Sequence, residues 1–241
     1  MTDSVRDLVF AVPGDLNTVT GGYAYDRAVI SHLPGHGWRP QAISLGPDFP
    51  TPSDATIAGA MAALEAVPND QPLMIDGLAY GVLPADGLAA LPNPIVALVH
   101  HPLALETGLS AAQASRLAKT EQAALAVAEA VIVTSPHTGR VLAADFAVPA
   151  ERITVATPGI PIPSHVATDK AEPPLILSVG TITRRKGVDL LLNALAALQD
   201  RDWHAVICGG RNYDPDYAAE IDQLMAQHHL QDRVQFTGSV T

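Results

Sequence analysis

Cysteine is almost missing from this chain. Cys208 is the only one in 241 residues, so no intrachain disulfide can form and a reducing compartment is the expected setting. Basic residues are scarce too: 14 Lys and Arg stand against 25 Asp and Glu, a formal net charge of -11. A phosphate backbone is held by clustered Lys and Arg, so this balance argues against nucleic acid as a partner and gives no support for docking on an anionic membrane. Long hydrophobic runs are absent. None approaches the ~20 residues that span a bilayer, and the Ala-rich stretch 122–133 is broken by Glu129. The opening Met1-Thr2-Asp3-Ser4-Val5-Arg6-Asp7 carries acids where a secretory signal carries bases. These absences predict a cytoplasmic protein. What is present is core material: 48% of residues are hydrophobic and 16% charged, enough for one or two domains and unlike a disordered chain or a disulfide scaffold.

Short apolar runs alternate with helical patterns along most of the chain. Residues 8–12, 41–45, 73–76, 95–99 and 130–133 are continuously apolar rather than alternating, which predicts parallel strands with both faces covered. Helix-like segments lie between them near 22–33, 54–66, 110–128 and 136–144. Strands alternating with helices imply right-handed crossovers and a doubly wound parallel sheet. Residues 156–174 hold Pro158, Pro161, Pro163, Pro173 and Pro174 without hydrophobic periodicity, and read as a linker. Beyond it come strand 175–179, helix 187–198, strand 204–208, helix 215–228 and strand 234–237, half of a second doubly wound domain. The expected fold class is therefore α/β with two Rossmann-like domains. The first spans 1–168 and the second, incomplete, 169–241.

In such sheets ligands bind beyond the carboxyl ends of the strands. After the first strand comes Thr20-Gly21-Gly22-Tyr23 at the start of a helix. Gly21 and Gly22 let backbone amides approach an anionic ligand, or simply connect strand to helix. The dinucleotide fingerprint Gly-x-Gly-x-x-Gly is absent. Asp76-Gly77 after the third strand reads as a cap. His100-His101-Pro102 follows the fourth, with Glu106 close behind. No further ligand stands at zinc spacing, so His100 and His101 are expected as hydrogen-bonding groups rather than a metal site. Ser135-Pro136 reads as a helix N-cap followed by proline at the first helical position. In the second domain, Arg184-Arg185-Lys186 sits where a helix is expected to begin. Residues 169–241 contain seven Lys and Arg, and three of them are gathered here. Cations oppose the helix macrodipole at that end unless an anion offsets them. Arg185, Lys186 and the loop amides are thus expected to hold a diphosphate. Gly209-Gly210-Arg211 after the next strand either approaches the same ligand or closes a tight turn.

Val179-Gly180-Thr181-Ile182-Thr183-Arg184-Arg185-Lys186-Gly187, with the apolar helix behind it, resembles the donor-domain opening of the family-four retaining glycosyltransferases. Thr157-Pro158-Gly159-Ile160-Pro161 resembles their domain junction. Thr20-Gly21-Gly22, Val99-His100-His101-Pro102 and Val133-Thr134-Ser135 resemble their acceptor-side domain, and Val234-Gln235-Phe236-Thr237-Gly238 the strand before their sugar-binding region. The resemblance implies a GT-B fold that binds a UDP- or GDP-linked sugar without a metal or other cofactor. It also implies transfer, with retention, to a hydroxyl acceptor that is lipid-linked, a polysaccharide or a small molecule. Lys186 would neutralise the leaving diphosphate. Where the family commonly has arginine after the glycine this chain has Thr181, so that role passes to Arg185, with Arg184 able to share it. Gly21 and Gly22 correspond to the family's glycine loop, and His100 or His101 to its histidine near the transferred sugar. The family's pair of glutamates seven residues apart would lie beyond residue 241. The resemblance therefore implies a chain cut within its donor domain and weakly active by itself, with peripheral membrane contact open to the full-length protein. A non-catalytic nucleotide-binding fragment or a degenerate relative is the alternative. A nucleotide-dependent oxidoreductase is disfavoured by the missing dinucleotide fingerprint and by the basic cluster.

Overall fold

A computed structural model describes residues 5–160, 162 and 169–240. The chain divides into two compact units, Met1–Ile160 and Pro161–Thr241. The boundary expected at residue 168 lies outside the described residues.

In the first unit, β1 (Arg6–Val12) leads through α1 (Gly21–His32) to β2 (Trp38–Ser44), and α2 (Asp54–Glu65) to β3 (Leu73–Asp76). Two short helices, α3 (Gly77–Tyr80) and α4 (Ala85–Ala90), precede β4 (Ile95–Val99). Then α5 (Ala111–Val127), β5 (Ala130–Val133), α6 (Pro136–Asp145) and β6 (Ile153–Val155) complete the unit. All six strands are parallel, in the order β2-β1-β3-β4-β5-β6. The order reverses at β1, so the carboxyl ends of β1 and β3 flank the switch point where such sheets take ligands.

Alternate residues of the central strands feed two cores, as the unbroken apolar runs require. Val9, Ala11, Leu73, Ile75, Ala97 and Val99 pack on one face with Leu64, Ala124, Leu125 and Leu142 from α2, α5 and α6. Leu8, Phe10, Val12, Met74 and Leu98 pack on the other, under Tyr23, Tyr25, Val29 and Ile30 of α1. Local chemistry sets the helix starts. Ser110 and Gln113 form a capping box at α5, and Ser135 accepts from Thr138 N–H at 3.0 Å with Pro136 next, as expected.

The strands that differ from expectation are the two edges. β2 begins three residues before the expected 41, running through Arg39 and Pro40, and β6 lies just before the expected linker. An edge strand tolerates proline and need not be apolar on both faces, so neither left a strong pattern.

The second unit runs β7 (Leu175–Val179), α7 (Val188–Ala196), β8 (His204–Cys208), α8 (Pro215–Gln227) and β9 (Val234–Gly238), a parallel sheet in the order β7-β8-β9. Both helices pack on one face, where Leu192, Leu195, Tyr217 and Ile221 meet Ala205, Ile207 and Val234. The opposite face of β7 presents Leu175, Leu177 and Val179 to solvent, at 53%, 62% and 70% exposure. No helix among the described residues is long and apolar enough to cross a membrane.

Candidate functional site

Three side chains from three elements meet at the switch point of the first unit. His100 stands directly after β4, and its Nε2 lies 3.0 Å from Asp26 Oδ1 and 3.5 Å from Asp76 Oδ2. Asp76 ends β3, where its Oδ1 also accepts from Leu78 N–H at 2.7 Å. The cap expected there is present, and the same carboxylate faces the imidazole with its other oxygen. Asp26 enters from α1 and is wholly buried.

The rest of the imidazole is held by α1. A Cβ at Gly22 would stand 3.5 Å from His100 Cδ2, so the glycine lets the helix lie close to the ring. The ring of Tyr25 meets it edge-on, with centroids 5.3 Å apart. Thr20 caps α1 by accepting from Tyr23 N–H at 3.3 Å, which leaves Gly21 and Gly22 in the first turn. Burial alone would lower the His100 pKa. The hydrogen bonds and charges of Asp26 and Asp76 outweigh it and hold the ring well above the ordinary imidazole value. Burial pushes the Asp26 carboxyl upward, against the hydrogen bond from His100. His101 is placed differently: its Nε2 lies 3.3 Å from Leu105 O, in an exposed contact away from the two carboxylates. The structure brings His100 to Gly22 and leaves His101 outside the cluster.

Among the described residues, Asp26, Asp76 and His100 are the set that comes nearest to a metal site, each offering one ligand atom within 4.8 Å of the others. Only three donors are present, and the 3.0 and 3.5 Å separations put the imidazole nitrogen in direct polar contact with both carboxylates. A structural zinc site wants four protein donors and calcium six or more. A catalytic zinc site takes three, but its ligand atoms bind the metal, whereas here the imidazole nitrogen is spent on the carboxylates themselves. The cluster reads as a hydrogen-bonded triad.

Asp26 escaped the sequence reading because a single acid in a helix usually faces water. The available signal was its face: Gly22, Asp26, Val29, Ile30 and Leu33 recur at helical spacing, and apolar neighbours at that spacing point inward.

In the second unit the basic run is not the first turn of a helix. Arg184–Lys186 forms a separate 3-10 turn, Gly187 follows in the left-handed conformation at φ +64, and α7 starts only at Val188. The three bases therefore stand on the loop after β7, ahead of the helix end. Arg184 is tied to α8: it forms an ion pair with Glu220 and lies 5.1 Å over the Tyr217 ring. Tyr217, in turn, accepts from Asp189 N–H and donates to the Asp189 carboxylate, fixing the start of α7. Arg185 holds the middle of the turn. Lys186 lays its stem against Gly180, with Cδ 3.5 Å from where a Cβ would stand. The amides of Gly180, Ile182 and Thr183 are bonded to the carbonyls of Cys208, Gly210 and Thr181. These three amides serve the fold. Arg211 is likewise structural, bonded to Ala218 O and Asp222 and stacked 5.0 Å over Phe236.

Residues 164–241 match the family described as Glycosyl transferases group 1. No curated protein sequence matches the chain. Among solved structures it is similar to a glycosyltransferase from Rickettsia africae, with a TM-score of 0.70 and 18% identity over 98% of this chain and 69% of that one. It is also similar to Anabaena Alr3699/HepE, solved in complex with UDP and glucose, with a TM-score of 0.64 and 18% identity over 97% of this chain and 70% of that one. A third similar structure is WaaG, a glycosyltransferase involved in lipopolysaccharide biosynthesis, with a TM-score of 0.65 and 16% identity over 97% of this chain and 70% of that one. At such identities the likeness establishes a fold, here that of the GT-B glycosyltransferases with its Rossmann-like parallel sheets, and function must be argued from the site.

Proposed function

We propose that this chain serves a glycosyltransferase that moves a sugar from a nucleotide-diphosphate donor to a hydroxyl acceptor with retention of configuration. The observation that carries the reading is the basic turn Arg184–Lys186 at the carboxyl end of β7, inside the segment that matches the glycosyltransferase family. In the transfer the bond from the anomeric carbon to the diphosphate oxygen breaks, and a bond from that carbon to the acceptor oxygen forms. The acceptor proton leaves with the diphosphate. Negative charge grows on the leaving phosphate, and Lys186 with Arg185 supplies the fixed positive charge that stabilises it. Arg184 contributes through the same turn while anchored by Glu220. In the first unit, Gly21 and Gly22 at the α1 N-terminus and the His100 ring are the groups offered to the donor, with His101 set apart. Cationic side chains replace a metal in this scheme, so the donor binds without divalent ions. UDP is the favoured nucleotide, since a similar protein is described with UDP and glucose, and GDP is the competing choice. The acceptor is a hydroxyl on a lipid-linked sugar, a polysaccharide or a small molecule. We place the reaction in the cytoplasm, which suits a lone and buried Cys208.

Calorimetric titration of UDP, UDP-glucose and GDP into the chain, at low salt with EDTA present, tests this. Wild type should bind a uridine ligand, and Lys186→Ala should weaken that binding by about tenfold or more, the scale of a charge-assisted phosphate contact. Equal affinity of the two proteins, or no nucleotide binding by wild type, would refute the proposed site.

A further inference from the structure

Asp26 has a feature that hydrogen bonding to His100 does not use up. Its residue is fully buried, its Oδ1 meets His100 Nε2, and its Oδ2 has no hydrogen-bond partner. Among the described residues it is the one such buried side-chain atom. An ionised carboxylate in that position is costly unless a cation lies beside it. The cation within reach is the imidazolium of His100, and Asp76 approaches the same nitrogen from β3.

The ring is thereby oriented as well as charged. Nε2 is taken by the two carboxylates and Cδ2 faces Gly22, while the side chain keeps 24% exposure. Nδ1 has no partner among the described residues and is not among the buried unpaired atoms, so it reaches solvent. A hydroxyl or phosphate arriving at the sheet edge would meet Nδ1–H.

We infer that Asp26 is a positioning residue: with Asp76 it holds His100 by Nε2 as a cation, so that the ring presents Nδ1–H as a charged donor to the nucleotide sugar. The inference rests on the proposed transfer reading for its ligand, but its geometry stands alone. A neutral ring with its proton on Nε2 would turn an acceptor toward the ligand instead, and a hydroxyl and a phosphate would read it differently. Of the tyrosines of α1, Tyr25 meets the ring edge-on and Tyr23 lies near the carboxylates of Asp26, Asp76 and Asp15. Tyr23 is raised to about 12, chiefly by burial, and Tyr25 is raised for the same reason, so both stay neutral through the range in which His100 titrates.

Imidazole nitrogen NMR on the histidine-labelled full chain tests the inference, with the His100 signal identified by its loss in His100→Gln. Wild-type His100 should remain doubly protonated through neutral pH. Asp26→Asn should bring its midpoint down by at least about one pH unit, as expected on losing an adjacent carboxylate. Asp76→Asn should act in the same direction and covers the case in which Asp26→Asn does not fold. At pH 7.5 Asp26→Asn should also weaken UDP-glucose binding by roughly tenfold while leaving UDP binding little changed. A wild-type midpoint near the ordinary imidazole value, or no response to either substitution, would overturn the inference even if UDP binds at Lys186. Failure of UDP to bind, with the titration as expected, would instead remove the transfer reading and leave the positioning intact.

Discussion

Gly209→Ala is expected to unfold the second unit while the first stays folded. The loop after β8 crosses the loop after β7 with no room for a side chain: a Cβ at Gly209 would stand 1.8 Å from the carbonyl oxygen of Gly180 and 2.7 Å from its carbon. Both obstacles are backbone, so no rotamer change relieves them. The neighbouring bonds, Gly180 N–H to Cys208 O at 2.9 Å and Gly209 N–H to Gly238 O at 2.8 Å, lock the two loops in that approach. Overpacking typically costs ~1–3 kcal/mol and occasionally more; a clash with unyielding backbone belongs at the upper end, a large share of what a small three-stranded unit can hold. The two tryptophans report on separate units, Trp38 in the first and the buried Trp203 in the second. In a Trp38→Phe background, Gly209→Ala should shift the Trp203 emission to that of an exposed indole at room temperature. Gly180→Ala is the matched control, because its Cβ would meet only the Lys186 stem at 3.5 Å. It should melt like wild type, and equal behaviour of the two variants would rule out the steric argument.

The second large effect concerns Glu121 and pH. This glutamate lies on α5, only 1% exposed, and its Oε2 accepts from Leu103 N–H at 2.9 Å. It therefore anchors the turn that follows His100-His101-Pro102. Burial raises its pKa from 4.5 to about 7, against the pull of the backbone bonds from Leu103 and Ala104. A carboxyl raised on folding contributes its full stability below the unfolded value and loses it as pH climbs through the folded one. Ionised Glu121 at pH 8.5 should thus cost on the order of 3 kcal/mol. Asp26 and His100 act in the same direction, since their pKa values are also raised by folding. The first unit should accordingly melt at a higher temperature at pH 5 than at pH 8.5. Glu121→Gln keeps an acceptor for Leu103 and cannot ionise, so it should match wild type near pH 5 and exceed it by several degrees at pH 8.5. Glu121→Ala should be less stable than wild type at pH 5, because it leaves a buried N–H unpaired and a cavity beside Gly81. Its deficit should shrink at pH 8.5, where the wild type carries an ionised buried carboxyl. A Glu121→Gln protein with the wild-type pH slope would show that the carboxyl is not what titrates.

Much of the architecture could be read before any coordinates. The central strands were visible because burial on both faces demands unbroken apolar runs, and Ser135-Pro136 marked its helix start because capping is local chemistry. The basic turn was visible as a concentration of charge in a segment otherwise poor in it. Its setting differs from expectation: Gly187 takes a left-handed conformation, so the turn closes before α7 begins, and the bases stand just ahead of that helix rather than in its first turn.

The sequence by itself determined the alternation of strand and helix, the two-part division and the short lists from which the site is drawn. These follow from periodicity and composition, which act over a few residues at a time. Tertiary structure alone decided which members of those lists meet. It placed Asp26 against His100 across 74 positions and set His101 aside. It tied Arg184 to α8 rather than leaving it with Lys186, and brought Gly209 onto Gly180. Contacts between distant segments depend on strand order and on the hand of each crossover, and neither is written in any single stretch of residues.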